Sequence, residues 1–268
     1  MTTTSPAITD LSSTLERLKQ EYSSVRQQSL ELISGLSDAD ATVQSMPDAS
    51  PAKWHMGHTS WFFETVILGS FSEEYTVFDD RFAFLFNSYY EQLGPRQPRP
   101  MRGMLTRPTL EEVIRYREHV DHHMHRFLTS AACTEKAASL IELGLHHEMQ
   151  HQELLLTDIL HLFAQNPLKP AFRPSEPLGI PNSPPANQAW QEFTGGIIQV
   201  GHTGPDFSFD CEGPRHEQIV RPFRLASHPV TNREWLTFME KGGYQDPLHW
   251  LSDGWSTVQT DGWNSPLY

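Results

Sequence analysis

The stretch "LGLHHEMQHQELLLTDILH", Leu143 to His161, sets four histidines, two glutamates and an aspartate among leucines. Its leucines and isoleucine recur at the three- and four-residue steps of an amphipathic helix, and the pattern extends from about Glu135 to Ala164. Each helical residue advances about 100°, so His147 and His151 lie about 40° apart, one turn above the other. Leu140, Gly144, Leu154 and Asp158 share that face, which directs the histidine pair towards a bundle core. Polar groups on such a face are unfavourable unless something binds them. A His pair at i, i+4 is a helix's way of chelating one metal ion. Alone, the pair reads equally as two core histidines bonded to carbonyls.

Working outward, three further helices precede this one. The first runs from about Leu11 to Ile33, with Leu15, Leu18, Tyr22, Val25, Leu30 and Ile33 on its apolar stripe and Gly35 closing it. "SDADATVQSMPDASP" reads as a loop ending in Ser50 as N-cap and Pro51 at the first helical position. The second helix, "PAKWHMGHTSWFFETVILGS", ends near Gly69, and the loop "FNSYYEQLGPRQPRPMRGMLTRP" follows. Thr109 caps the third helix with Glu112 in the capping-box position. Four helices in this order predict a bundle.

The second helix supplies a third imidazole. His58 lies on the stripe of Trp54, Trp61, Phe62 and Thr65, whereas His55 stands about 60° round from it. A lone histidine on an apolar face is ordinarily a satisfied core residue. Two helices of one bundle presenting His58, His147 and His151 favour a metal site with open positions opposite three neutral ligands. Gln150 flanks the stripe; Glu153 points away from it. His122, His123, His125 and His146 read as solvated, and His161 needs no metal to explain it.

Beyond Asn166, "NPLKPAFRPSEPLGIPNSPPANQ" is too rich in proline for a regular helix and reads as a linker. The expected division is 1–165 helical, 166–190 linker and 191–268 a β-containing domain. In that last part "GGIIQVG", "FSFD" and "QIVRPFRLA" are short alternating segments broken by Gly, Pro and Asp. The chain has 268 residues with 33 acidic against 20 basic side chains, net −13, which argues against nucleic acid or an anionic membrane as partner. No apolar run approaches the ~20 residues that cross a bilayer. No secretory signal is visible in "MTTTSPAITDLSS", and Cys133 and Cys211 fit free thiols in a reducing cytoplasm.

"SPAKWHMGHTSWFFE", "LFNSYYEQLG", "RGMLTRPTLEEVIRYR" and "HEMQHQELLLTDI" together resemble the ergothioneine-biosynthesis sulfoxide synthases, the EgtB family. "FTGGIIQVG" and "FDCEGPRHEQIVRPFRLASHPVTNREWLTFMEKGGY" are similar to the formylglycine-generating-enzyme (sulfatase-modifying-factor) fold of the same family. The resemblance implies an α plus α+β chain: a DinB-like four-helix bundle, then a formylglycine-generating-enzyme/C-type-lectin-like domain. That domain normally continues well beyond "DGWNSPLY", so the chain is expected to be incomplete, with a possible completing C-terminal segment.

The resemblance also implies non-haem Fe(II) and O2 joining a thiol to the imidazole carbon of hercynine, with a sulfoxide-linked product. By motif the iron ligands are His58, His147 and His151, and Gln150 contacts the substrate imidazole. Tyr89 and Tyr90 match active-site tyrosines of one branch, with Tyr90 the candidate proton donor or redox partner. Arg96 and Arg99 match arginines that hold the thiol substrate's carboxylate. Cysteine and γ-glutamylcysteine are both family thiol donors, and "NSYY" inclines the choice to cysteine. Two rivals remain: a zinc-dependent DinB-like thiol transferase, and a metal-binding fragment without turnover.

Overall fold

The computed structural model describes residues 11–88, 94–173 and 189–267. Its contacts divide the chain into two compact units, Met1–Glu176 and Pro177–Tyr268. The fold is α plus α+β: a helical first unit and a small strand-containing second. Tyr89, Tyr90 and residues 174–188 of the expected linker lie outside the described residues.

In the first unit, α1 (Leu11–Ile33) packs on α7 (Glu135–Gln165), and α3 (Ala52–Phe62) packs on both α7 and α6 (Leu110–Phe127). The starts of α6 and α7 follow from their caps. Thr109 and Glu112 form the reciprocal box at α6, and the Thr134 hydroxyl accepts from the Ala137 N–H at α7. Ser50 does not cap α3; Pro51 occupies that position with no side-chain cap. The Ser50 hydroxyl instead accepts from Arg102 at 2.9 Å, and its N–H donates to Asp158 at 2.8 Å. The expected loop before it contains a short helix, α2 (Asp38–Thr42), closed by its own box between Ser37 and Asp40.

Every residue of α3 is buried, which its aromatic content permits and its polar members must be partnered to tolerate. The helix continues through a π-helical turn, Phe63–Leu68, into α4 (Gly69–Phe71), so it ends just past the expected Gly69. The π turn shows in the Gly69 N–H, which donates to the Glu64 carbonyl five residues back. The loop that follows contains α5 (Phe82–Phe86) and a 3-10 turn, Arg99–Met104.

Glycine sets how closely α7 approaches α3. A Cβ on Gly144 would stand 2.7 Å from the Phe63 ring and 2.8 Å from that of Phe62. Only hydrogen at this position lets the backbones close, and His147 then follows one turn along α7. The α1 stripe differs from expectation in one respect. Val25 and Leu30 are half-buried, while Arg26 and Ser29 are buried with Leu18, Tyr22, Leu32 and Ile33. Both polar residues reach Glu148: Arg26 at 3.0 Å and Ser29 at 2.5 Å. Arg117 of α6 donates to the same carboxylate.

The second unit has two antiparallel pairs: β1 (Trp190–Phe193) with β4 (Phe223–Ala226), and β2 (Gly196–Val200) with β3 (His216–Val220). Pro222 lacks a ladder donor and divides "QIVRPFRLA" into β3 and β4. "FSFD" is not a strand but leads into a 3-10 turn at Asp210–Glu212. Helices α8 (Asn232–Glu240) and α9 (Ser252–Asp261) follow, α8 opening with a Thr231–Glu234 capping box. Among the described residues no helix is long and apolar enough to cross a membrane.

Removing the Glu148 carboxylate leaves buried Arg117 without the carboxylate it pairs with and buried Arg26 with Asp121. Glu148→Ala is expected to lower the unfolding free energy by roughly 3–5 kcal/mol. A denaturant titration would show it as a lower midpoint at unchanged slope. A loss below about 1 kcal/mol would be the value of a surface pair and would contradict this account.

Candidate metal centre

Helix α3 contributes His58 and α7 contributes His147 and His151; one nitrogen from each lies within 4.8 Å of the others. Among the described residues this is the one cluster of three or more histidine, cysteine or acidic groups with such spacing. The His58 ring is held between two indoles, Trp54 at 4.6 Å and Trp61 at 5.5 Å, both nearly parallel to it. Its Nδ1 lies 2.6 Å from the Phe86 carbonyl. A carbonyl only accepts, so Nδ1 carries the proton and Nε2 is left as a lone pair. That lone pair faces His147 Nε2 at 3.2 Å.

Burial drives the electrostatics. It pushes His58 well below the usual imidazole range, His147 adding to the effect and the Phe86 carbonyl opposing it. The same desolvation takes His147 down to about 4 against the pull of Glu148. His151 is lowered further, by burial and then by His55, His58 and His147. All three rings are therefore neutral near pH 7, which is the ligand form of imidazole. His147 Nδ1 is buried without a hydrogen-bond partner among the described residues. A cluster of neutral acceptors with few donors between them is satisfied by a cation at its centre. Imidazole nitrogen suits Fe and Zn alike, so the residues fit a divalent transition metal.

The three histidines open into a cavity of about 440 Å³ that is also lined by Trp54, His55, Ser88, Arg99, Arg102 and Gln150. An adjoining cavity of about 370 Å³ shares Ser88, Arg99 and Arg102 and adds Arg96. The structure therefore brings together His58, His147, His151, Gln150 and Arg99, with Arg96 next door. The pair is expected to point into the bundle core; of that face Gly144 is core, whereas His147 and His151 are half-buried and Leu154 is exposed. The stripe runs out of the core into a pocket.

Glu153 is exposed. His122 and His125 are exposed and His123 and His146 half-buried, while His161 is buried and bonded to the Ser45 hydroxyl at 2.7 Å. Sequence reasoning missed His55, Arg102 and Glu148. Arg102 is buried, with its guanidinium 3.3 Å from the Trp54 ring centroid. The available signal for His55 was its three-residue step from His58, a spacing that makes helix neighbours.

The DinB superfamily profile matches residues 21–155, half of the chain, and all the histidines of the cluster fall inside it. The chain belongs to the DinB superfamily. A sulfatase-modifying factor enzyme 1-like domain matches residues 185–267. This DinB-superfamily chain is 31% identical over 129 residues to a hercynine oxygenase of Mycolicibacterium smegmatis, covering 47% of the chain and 29% of that relative. It is 30% identical over 125 residues to one from Mycolicibacterium thermoresistibile, covering 46% and 27%. An inactive Cα-formylglycine-generating enzyme 2 of Bos taurus is 36% identical over 70 residues, 26% of the chain and 22% of the relative. The two domains and these relatives make the chain EgtB-like, and it spans under a third of the hercynine oxygenases it matches.

The chain is expected to take up about one divalent metal per molecule, and His147→Ala to lose it, as read by metal analysis after dialysis. Gly57→Ala tests the support of His58. Its Cβ would stand 2.3 Å from the Phe86 ring, and Phe86 carries the carbonyl that orients His58. We expect a loss of roughly 1–3 kcal/mol in stability, as overpacking gives, with weaker metal retention. Unchanged retention would separate the carbonyl from the metal site.

Proposed function

We propose that the chain carries the metal-binding part of a hercynine-oxygenase-type sulfoxide synthase. The observation that supports this best is the convergence of three neutral imidazoles on one point beside an arginine-lined cavity. Fe(II) held by His58, His147 and His151 would supply activation of O2 next to the sulfur. In the overall reaction the imidazole C–H and the thiol S–H break and the C–S and S–O bonds form. The four electrons released reduce O2 to the sulfoxide oxygen and one water.

The chain's own residues set the terms of that chemistry. Three neutral imidazoles bring no negative charge, so an anionic thiolate is the favoured additional donor. Trp54 and Trp61 cover the His58 ring on both faces and keep water from it. Gln150, exposed on the cavity wall, offers an amide that both donates and accepts, as an imidazole substrate requires. Arg96 and Arg99 are assigned to the carboxylate of the thiol donor, with Arg102 beside them. Tyr89 and Tyr90 are assigned by motif to the active site, Tyr90 as the proton donor or redox partner.

The test is made in the full-length protein, loaded with Fe(II) without air and then given hercynine, a thiol and O2. Oxygen uptake with the conjugate detected by mass spectrometry is expected, and cysteine is expected to outcompete γ-glutamylcysteine. Arg99→Leu is expected to raise KM for the thiol roughly tenfold or more, the worth of a charge-assisted hydrogen bond, with a smaller effect on kcat. Failure with both thiols in iron-loaded protein overturns the reading. Thiol transfer with bound zinc and no O2 uptake would assign the site to zinc chemistry instead.

A further inference from the structure

His55 is buried one turn before His58 on α3, yet it is not one of the three converging ligands. Its Nε2 lies 3.0 Å from Asp158 Oδ2, and its Nδ1 lies 2.8 Å from His151 Nδ1. Asp158 is itself fixed, because the same oxygen accepts from the Ser50 N–H at 2.8 Å. These contacts determine the proton positions in turn. The carboxylate only accepts, so His55 Nε2 carries the hydrogen. A 2.8 Å contact between two ring nitrogens holds one hydrogen, and a His55 ring whose single proton is already given to Asp158 from Nε2 can only accept at Nδ1. His151 then donates from Nδ1, and its remaining nitrogen, Nε2, is a lone pair.

We propose that Asp158 and His55 form a relay that fixes the tautomer and ring angle of His151, making His55 a positioning residue of the metal centre. The proposal rests on reading the His58, His147 and His151 cluster as a metal site. His58 receives the same service from a neutral carbonyl, that of Phe86. His151 receives it from a carboxylate acting through a second imidazole, a stronger acceptor that makes the ligand nitrogen more electron-rich. His147, whose Nδ1 is without a partner among the described residues, has no such support. The relay also uses a polar pair that would otherwise be an unexplained demand on the core.

The experiment uses Co(II) as the probe, with affinity read by competition against a chromophoric chelator and geometry by its visible bands. His55→Phe retains a ring to pack against Trp54 but accepts nothing, and is expected to bind Co(II) about 10–100-fold more weakly. His55→Gln can still accept from His151 Nδ1–H and is expected to recover most of that loss. A purely structural role would not rank Gln above Phe. In the metal-free protein, ¹⁵N NMR should find the His151 proton on Nδ1, and His55→Phe should move part of it to Nε2.

Parent-like Co(II) binding by folded His55→Phe, or a His151 proton on Nε2 in the parent, overturns the proposal. Should His55→Phe fail to fold by circular dichroism, the Gln variant and the parent tautomer decide. A parent that binds no Co(II) refutes the metal reading of the cluster, and the tautomer measurement still judges the relay.

Discussion

The carboxylate of Glu148 is the contact on which the helical unit depends. It accepts from Arg26 and Ser29 of α1 and from Arg117 of α6, and is itself carried by α7. Burial alone would push its carboxyl up; Arg117 and Arg26 overcome that and hold it at about 2. Arg26 extends the network to Asp121 at 2.6 Å and to the Ser60 hydroxyl of α3 at 3.0 Å. Arg117 adds the Arg26 carbonyl at 2.8 Å and Thr59 of α3 at 3.3 Å. Charges removed from water in this way add little net stability compared with apolar packing, but misplacing any one of them is strongly unfavourable. The network therefore selects one register of α7 among the many that leucine packing would accept.

Register is what the histidines need. A slip of one residue along α7 rotates every side chain by about 100° and would carry His147 and His151 away from His58. The charged network opposes rotation, and the glycine contact at Gly144 sets the distance. Together they bring two helices' imidazoles within reach of one ion, although leucines and aromatic rings alone would tolerate several arrangements.

The parts of this arrangement that sequence discloses are the local ones. The limits of α1, the Thr109–Glu112 box and the four-residue step of His147 and His151 all follow from spacing within one helix. What sequence conceals is pairing across helices. Arg26 and Ser29 look like the solvated side of α1, and only a carboxylate 122 and 119 residues on, respectively, makes them core. Ser50 looks like a cap because Ser-Pro so often is one, yet Arg102 and Asp158 compete for its polar groups and win. His55 looks like an edge residue for the same reason: its partners are on α7. Arg102 sat in a loop whose 3-10 turn has no strong periodicity to announce it. The Tyr89 and Tyr90 assignments fall outside the described residues and stand on motif alone.

Two polar clusters thus meet on α7 at adjacent residues, and they are completed differently. Glu148 is surrounded by donors that the protein supplies, guanidiniums and a hydroxyl, so that cluster closes on itself. The imidazoles next to it are neutral, and two of them have their tautomers set from outside the cluster: His58 by the Phe86 carbonyl, and His151 through the proposed relay. The lone pairs of His58 and His151 are thus directed to the point where His147 also converges. A cation at that point would take up all three nitrogens together. The fold spends its own charges on holding α7 in place and leaves the histidine cluster for an ion to complete.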